Sequence, residues 1–172
     1  LFFNPANLNF IDGKQLLFGG TLLQPTTSFA GHSPFPGYGV TEEMESQSFF
    51  PPTVYFTAPL NPKMAWGVGL NSPFGLGVEW KDPDQFTGRY IVTKAELQTL
   101  NANASFAYLI NPQFSAAVGF DALFASVELN NRSQIVIPGG GGARTDVASA
   151  KLEGDFTPGY GWNAAVAYRP SA

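Results

Sequence analysis

The clearest strand pattern in this chain is LNANASFAYLINPQFSAAVGFDALF (residues 100–124). It has two arms, 100–110 and 114–124, in which even positions are apolar and most odd positions are small or polar. Strict alternation with a period of two indicates a β-strand with one apolar face. An Asn-Pro turn joins the arms, so the stretch predicts an antiparallel hairpin.

The same alternation, with the same parity, occurs in other parts of the chain. It appears in VYFTAPL (54–60), MAWGVGL (64–70) and YGWNAAVAY (160–168), and less regularly in KQLLFGGTLLQ (14–24). These segments predict six strands in three hairpins. The fold class is therefore predicted to be all-β, with antiparallel strands in meander order.

The length of the apolar face favours a lipid environment. Eleven residues at about 3.3 Å each, tilted near 45°, rise roughly 25 Å, the height of the apolar band of an outer-membrane barrel. Charge returns on the same face beyond that band, at Lys94, Glu96 and Glu128. A soluble all-β binding domain predicts charges scattered along the even positions of these arms, and none occur there. We predict a transmembrane β-barrel; because the smallest such barrels have eight strands, six strands predict a piece of a larger one.

Connections of two lengths support this prediction. Short turns follow the strands at 60–63, 110–113 and 168–171, whereas long polar connections span 30–48, 81–89 and 130–146. Short turns at one end and long loops at the other are typical of bacterial outer-membrane barrels.

Composition argues against several functional classes. Only 13% of the 172 residues are charged and the formal net charge is −4, so there is no basic footprint for nucleic acid. The chain has no Cys and one His, His32 in a Pro/Gly-rich loop, which argues against thiolate metal sites and a Ser-His-Asp set. We therefore expect no enzyme activity, no metal and no cofactor.

Four segments in series resemble the FadL/TodX family of outer-membrane transporters for long-chain fatty acids and aromatic hydrocarbons. They are NPANL (4–8) and the stretches 51–80, 100–129 and 159–170. The resemblance implies a fourteen-stranded monomeric barrel in the bacterial outer membrane, plugged by an N-terminal hatch. Residues 1–13 would end the hatch, and residues 14–172 would form the first six strands.

The resemblance also implies where ligand leaves the barrel. In this family a kink in the third strand opens the wall sideways, so that an apolar ligand bypasses the lipopolysaccharide leaflet and enters membrane lipid. The last hatch segment, near that kink, corresponds to Asn4, Pro5 and Ala6. The kink corresponds to NSPFG and the glycine after it: Asn71, Ser72, Pro73, Phe74, Gly75 and Gly77. Proline is not required by the family pattern, and Pro73 also marks the top of a strand equally well.

Candidate ligand contacts lie above and inside the barrel. Arg132 is close to the position of a basic residue that meets the ligand carboxylate in the family, although Asn131 is the residue in register. Asp121 is an intramembrane carboxylate, which indicates either a functional site or a structural pairing. Exposed loop residues could capture ligand: Phe35, Tyr38, Ile135 and Ile137.

Two functions remain open from the sequence. One is passive transport of a hydrophobic compound, either a fatty acid or an aromatic hydrocarbon. The alternative is a non-transport barrel that acts as a structural protein, an adhesin or a receptor through its long loops.

Overall fold

A single antiparallel sheet dominates the computed structural model, which describes residues 3–33, 35–136 and 144–170. The predicted all-β fold class is confirmed. The strands are β1 (Gln15–Gly20), β2 (Ser28–Ala30), β3 (Thr41–Glu43), β4 (Pro52–Asn61), β5 (Met64–Asn71), β6 (Gly75–Glu79), β7 (Lys94–Asn111), β8 (Phe114–Val136) and β9 (Arg144–Tyr168).

The main sheet follows the chain as a meander. Its order is β1-β4-β5-β7-β8-β9, and β6 continues the path of β5 along the upper part of β7. The predicted Asn-Pro turns close two of the hairpins. Asn61 Oδ1 accepts a hydrogen bond from the Lys63 N–H at 2.9 Å, and Asn111 Oδ1 accepts from the Gln113 and Phe114 N–H groups at 2.9 Å. The asparagine side chain thereby satisfies donors that the tight turn leaves unpaired.

The two faces of the sheet differ as the alternation predicts. On β7 the odd residue Ala107 is fully buried, whereas the even residue Phe106 is 38% exposed. Aromatic side chains pair across strands on the even face: Phe56 with Trp66, Phe114 with Tyr168 and Phe120 with Tyr160. We name the even side of β7 and β8 the outer face and the odd side the inner face.

The upper strands are longer than the alternation predicts. β7, β8 and β9 contain 18, 23 and 25 residues, so the predicted connection 130–146 is wrong: β8 continues to Val136, and β9 begins at Arg144. Apolar alternation marks only the part of a strand that faces lipid. Above it the ladder continues with charged pairs, such as Lys94 Nζ with a Glu128 carboxylate oxygen at 3.0 Å.

A 3₁₀ helix, Pro5–Phe10, covers the inner face near the short turns. Asn4 Oδ1 caps it by accepting the Ala6 N–H at 3.0 Å, and the Asn4 amide donates to the Val166 carbonyl at 3.1 Å. Small side chains let the helix approach the sheet closely; the buried cluster contains Ala6, Leu8, Ala65, Ala107, Ala117 and Ala167. No helix in the described ranges is long and apolar enough to cross a bilayer.

The position of this helix can be compared with one expectation, which stays a prediction. The resemblance places Asn4, Pro5 and Ala6 near the kink, but Ala6 clusters with Ala65 at the start of β5. Seven residues separate Ala65 from Ser72, a distance of roughly 20 Å along a strand. The reason is steric, since the helix lies where alanines leave room on the inner face.

A second small core lies under the long connections. Strand β3 lies within the predicted connection 30–48 and pairs with β2, which ends at the first residue of that connection. The rings of Trp80 and Phe86 stack with centroids 4.0 Å apart, and Phe29 meets Phe86 edge-on at 5.9 Å. These contacts anchor the loops above the sheet.

We predict that Ala107→Leu destabilises the protein and Ala104→Leu does not. Ala107 is fully buried under the helix, so a larger side chain should cost about 1–3 kcal/mol through overpacking. Ala104 is exposed on the outer face of the same strand, where added apolar surface meets lipid. Urea unfolding of the full-length protein from bilayers measures both; equal losses of stability would contradict the face assignment.

Candidate functional site

The third span of the sheet is interrupted where the sequence predicts a kink. β5 ends at Asn71, opposite Asn101, and β6 begins at Gly75, opposite Gln98. The three residues 72–74 therefore lie opposite only two, 99 and 100. The one extra residue inverts the alternation, so that even-numbered Leu76 in β6 lies opposite odd-numbered Leu97.

Side-chain hydroxyls replace the missing ladder bonds at this interruption. The Phe74 N–H donates to Thr99 Oγ1 at 3.0 Å, and the Thr99 hydroxyl donates to the Phe74 carbonyl. The Ser72 hydroxyl donates to the Thr99 carbonyl. Pro73, between them, has no N–H to satisfy. The backbone thus leaves the ladder while the N–H and C=O groups of Phe74 keep hydrogen-bond partners.

A cavity of about 510 Å³ lies at the interruption. Its lining takes residues from both faces of β7, which are Leu97 and Thr99 from the inner face and Gln98 and Leu100 from the outer face. Most of the remaining lining is apolar or aromatic, including Leu23, Phe49, Phe50, Pro73, Phe74 and Phe156. The lining of the cavity therefore includes residues from both faces of the sheet.

Two phenylalanine rings lie over glycines at the sides of this cavity. A Cβ at Gly77 would lie 2.3 Å from the Phe49 ring, and one at Gly20 would lie 2.6 Å from the Phe50 ring. Neither Gly75 nor Gly77 has a positive φ, so the need for glycine at position 77 is steric. Gly75 has open space, because its nearest contact would be 3.7 Å away.

The inner wall below the cavity is polar. Asp121 Oδ1 accepts hydrogen bonds from the amides of Asn101 and Asn103 at 3.1 and 2.8 Å, and Oδ2 accepts from Asn163 at 2.7 Å. We name these four residues the Asp121 cluster. Among the described residues, no Lys or Arg side chain forms an ion pair with this carboxylate. A ligand role for Asp121 stays a prediction.

Charged residues above the barrel are mostly paired. The Arg132 guanidinium in β8 forms an ion pair with Asp84. The backbone N–H of Arg132 donates to the backbone carbonyl of Arg89 at 2.8 Å. Arg89 Nε meets Asp146 at 3.0 Å, and this hydrogen bond raises the pKa of the Arg89 guanidinium. Two guanidinium-bearing residues are thus adjacent, each with a carboxylate partner. Within the described ranges, no group of three or more His, Cys, Asp or Glu residues could hold a metal ion.

The other predicted loop residues are not gathered at one site. Phe35 and Tyr38 lie between β2 and β3 and are 75% and 74% exposed, and the Tyr38 ring contacts His32. Ile135, near the top of β8, is 53% exposed, and Asn131 pairs with β9 in the ladder. Ile137 lies outside the described residues.

Three residues at the cavity are absent from the sites predicted from the sequence: Phe49, Phe50 and Thr99. Phe49 and Phe50 belong to the stretch SFFPP (48–52), and two aromatics before Pro-Pro at the start of a strand could have drawn attention to them. No sequence pattern around Thr99 indicates a special role for it. Its importance depends on which residue of β7 lies opposite the interruption, and a connection of fourteen residues (80–93) separates β6 from β7.

Known proteins resemble this chain in sequence. The family model described as outer membrane protein transport protein (OMPP1/FadL/TodX) matches residues 1–172. A long-chain fatty acid transport protein of Escherichia coli is 29% identical over 96% of this chain. Outer membrane protein P1 of Haemophilus influenzae is 26% identical over 93% of it. The chain spans about 40% of the length of these curated relatives.

One solved structure shares the fold. The crystal structure of a Pseudomonas aeruginosa FadL homologue superposes with a TM-score of 0.69 at 18% sequence identity. The match covers 99% of this chain and 44% of that one. The sheet described above therefore corresponds to part of a larger barrel fold.

We predict that Gly77→Ala disturbs the site and Gly75→Ala does not. The new methyl group at position 77 meets the Phe49 ring, so the ring must move and the free energy of unfolding should fall by about 1 kcal/mol. At position 75 the methyl group has room. Urea unfolding of both full-length variants measures this difference. A loss of unfolding free energy in Gly75→Ala but not in Gly77→Ala would contradict the prediction.

Proposed function

Since this chain belongs to the outer-membrane protein transport family (OMPP1/FadL/TodX), we propose that it forms part of a passive transporter of hydrophobic compounds, with long-chain fatty acids as the main substrate. Fatty acid transport is named for the Escherichia coli relative. The protein resides in the bacterial outer membrane. Movement down a concentration gradient needs no cofactor, metal or covalent step.

The observation that supports this function most directly is the interruption with its cavity. An intact ladder between β4 and β6 would seal the wall, whereas β6 pairs only with β7 among the described strands. Non-helical, unladdered backbone at membrane depth is tolerated where it lines a cavity. We propose that Asn71, Ser72, Pro73, Phe74 and Gly75 form a lateral opening between the interior and the lipid.

The polarity of the inner wall favours a sideways exit. At the height of β6 the inner side offers Leu76 and Leu97, because the extra residue inverts the alternation. Directly below is the Asp121 cluster, whose carboxylate and amides are hydrogen-bonded to one another. An acyl chain in front of those groups would gain no burial against apolar surface. An apolar ligand that descends this wall therefore gains most by turning through the opening.

Capture would take place at the extracellular connections. The exposed rings of Phe35 and Tyr38 and the side chain of Ile135 offer apolar surface there. Arg132 would orient a fatty acid carboxylate by a charge-assisted hydrogen bond, exchanging it for Asp84. An aromatic hydrocarbon would not need this cation.

The 3₁₀ helix fits the role of a hatch segment. We propose that residues 1–13 close the interior near the short turns while residues 14–172 form barrel wall. The helix then blocks a straight path to the periplasm, since it covers the inner face at Ala107 and Ala117. The complete barrel would act as a monomer, with membrane lipid and lipopolysaccharide around its outer face.

Deletion of Pro73 tests the opening. The deletion removes the one extra residue, so residues 64–79 can pair with β7 in a single register and the wall can close. We predict that uptake of a radiolabelled long-chain fatty acid by cells with the full-length variant falls at least about tenfold, because a complete ladder satisfies the backbone better than an open one. Heat-dependent gel migration confirms that the barrel has folded.

Pro158→Ala is the matched control. Pro158 also lies within a spanning strand, β9, but it does not line the cavity. This variant should take up fatty acid at the normal rate. Normal uptake by the folded deletion variant would remove the lateral opening from the mechanism, and absence of uptake by the unaltered protein would reject transport altogether.

The substrate class can be identified by extraction. We expect mass spectrometry of the gently purified full-length protein to find long-chain fatty acids, because the arginines above the barrel suit a carboxylate. Recovery of aromatic hydrocarbons alone would show that they, and not fatty acids, are the substrate.

A further inference from the structure

Thr99 occupies an unusual place beside the interruption. It lies on the inner face of β7, is only 6% exposed and stands opposite the three residues that leave the ladder. A hydroxyl can donate and accept at the same time. The Thr99 hydroxyl makes both bonds with Phe74: it accepts a hydrogen bond from the Phe74 N–H and donates one to the Phe74 carbonyl.

The contact is reciprocal across the two segments. While the Thr99 side chain binds the backbone of Phe74, the Ser72 side chain binds the backbone carbonyl of Thr99. The two sets of bonds lie on either side of Pro73, which cannot donate. Residues 72–74 are therefore fixed to β7 by hydroxyl groups, at a spacing that the regular ladder does not allow.

We propose that Thr99 is a positioning residue that fixes the open shape of the strand interruption, an inference that rests on the proposed transport function. Without the hydroxyl, the N–H and C=O of Phe74 lack partners at membrane depth. The backbone regains partners only by moving toward the regular ladder of β7, which narrows the cavity. Thr99 thus sets the width of the passage that it helps to line.

Three variants of the full-length protein separate this role from simple packing. Thr99→Val keeps the shape of the side chain and removes the hydroxyl, whereas Thr99→Ser keeps the hydroxyl and removes a methyl group. Thr57→Val is the matched control, because Thr57 is a buried inner-face threonine whose hydroxyl has no hydrogen-bond partner among the described residues.

The first measurement is independent of transport. Hydrogen exchange of the protein in bilayers, read by mass spectrometry on a peptide that contains residues 72–76, reports the Phe74 amide. Thr99→Val should raise the exchange rate about tenfold, the effect of losing one well-formed hydrogen bond. Thr99→Ser and Thr57→Val should leave it unchanged. Unchanged exchange in Thr99→Val overturns the proposal.

The second measurement is fatty acid uptake per folded barrel. We expect about a tenfold loss for Thr99→Val, near-normal uptake for Thr99→Ser and normal uptake for Thr57→Val. Equal uptake by Thr99→Val and Thr57→Val overturns the proposal while leaving transport intact. Absence of uptake by the unaltered protein rejects the transport function instead, and the exchange data then decide whether Thr99 fixes the interruption.

Ser72→Ala keeps the test decisive if Thr99→Val does not fold. It removes only the bond to the Thr99 carbonyl, so it should raise exchange in the same peptide and lower uptake about threefold, in line with one neutral hydrogen bond. A Ser72→Ala protein that matches the unaltered protein in both measurements overturns the proposal.

Discussion

Backbone hydrogen bonding in a hydrocarbon solvent is the constraint on which this structure depends. Lipid offers no partner for an N–H or C=O group, so a membrane-spanning strand must find every partner within the protein. The long ladders of β7, β8 and β9 satisfy that requirement along their paired lengths. The interruption at residues 72–74 satisfies it differently, because Thr99 and Ser72 supply hydroxyls where the ladder cannot.

The same constraint connects the interruption to the polarity of the inner face. One extra residue in the third span breaks the ladder and inverts the alternation, so apolar side chains of β6 turn to the inner face. Below that point the inner face returns to amides around Asp121. The boundary between apolar and polar inner wall therefore coincides with the gap, and both follow from a single residue of excess length.

Prediction from the sequence was most accurate where the surrounding solvent imposes a two-residue alternation on the strands. Alternation located the lipid-facing spans, and Asn61 and Asn111 fixed two turns, because tight turns need a side chain that pairs with free N–H groups. It performed worst above the membrane. There the ladders continue through Asn131 and Arg132 of β8 and Asp146 of β9, polar residues whose pattern does not differ from that of a loop. The position of the 3₁₀ helix also escaped prediction, since it depends on which alanines meet across several strands.

Local patterns were therefore enough for the all-β class and the two faces of the sheet, and they carried the family resemblance, which the family match confirms. The kink at NSPFG followed only from that resemblance. Which residues surround the interruption became clear only from the folded sheet. Phe49 meets Gly77 and Thr99 meets Phe74 through pairings whose register is set across long connections. A short turn encodes the register of its two strands locally. A long connection does not, because the packing of the whole sheet then chooses which residues stand opposite one another.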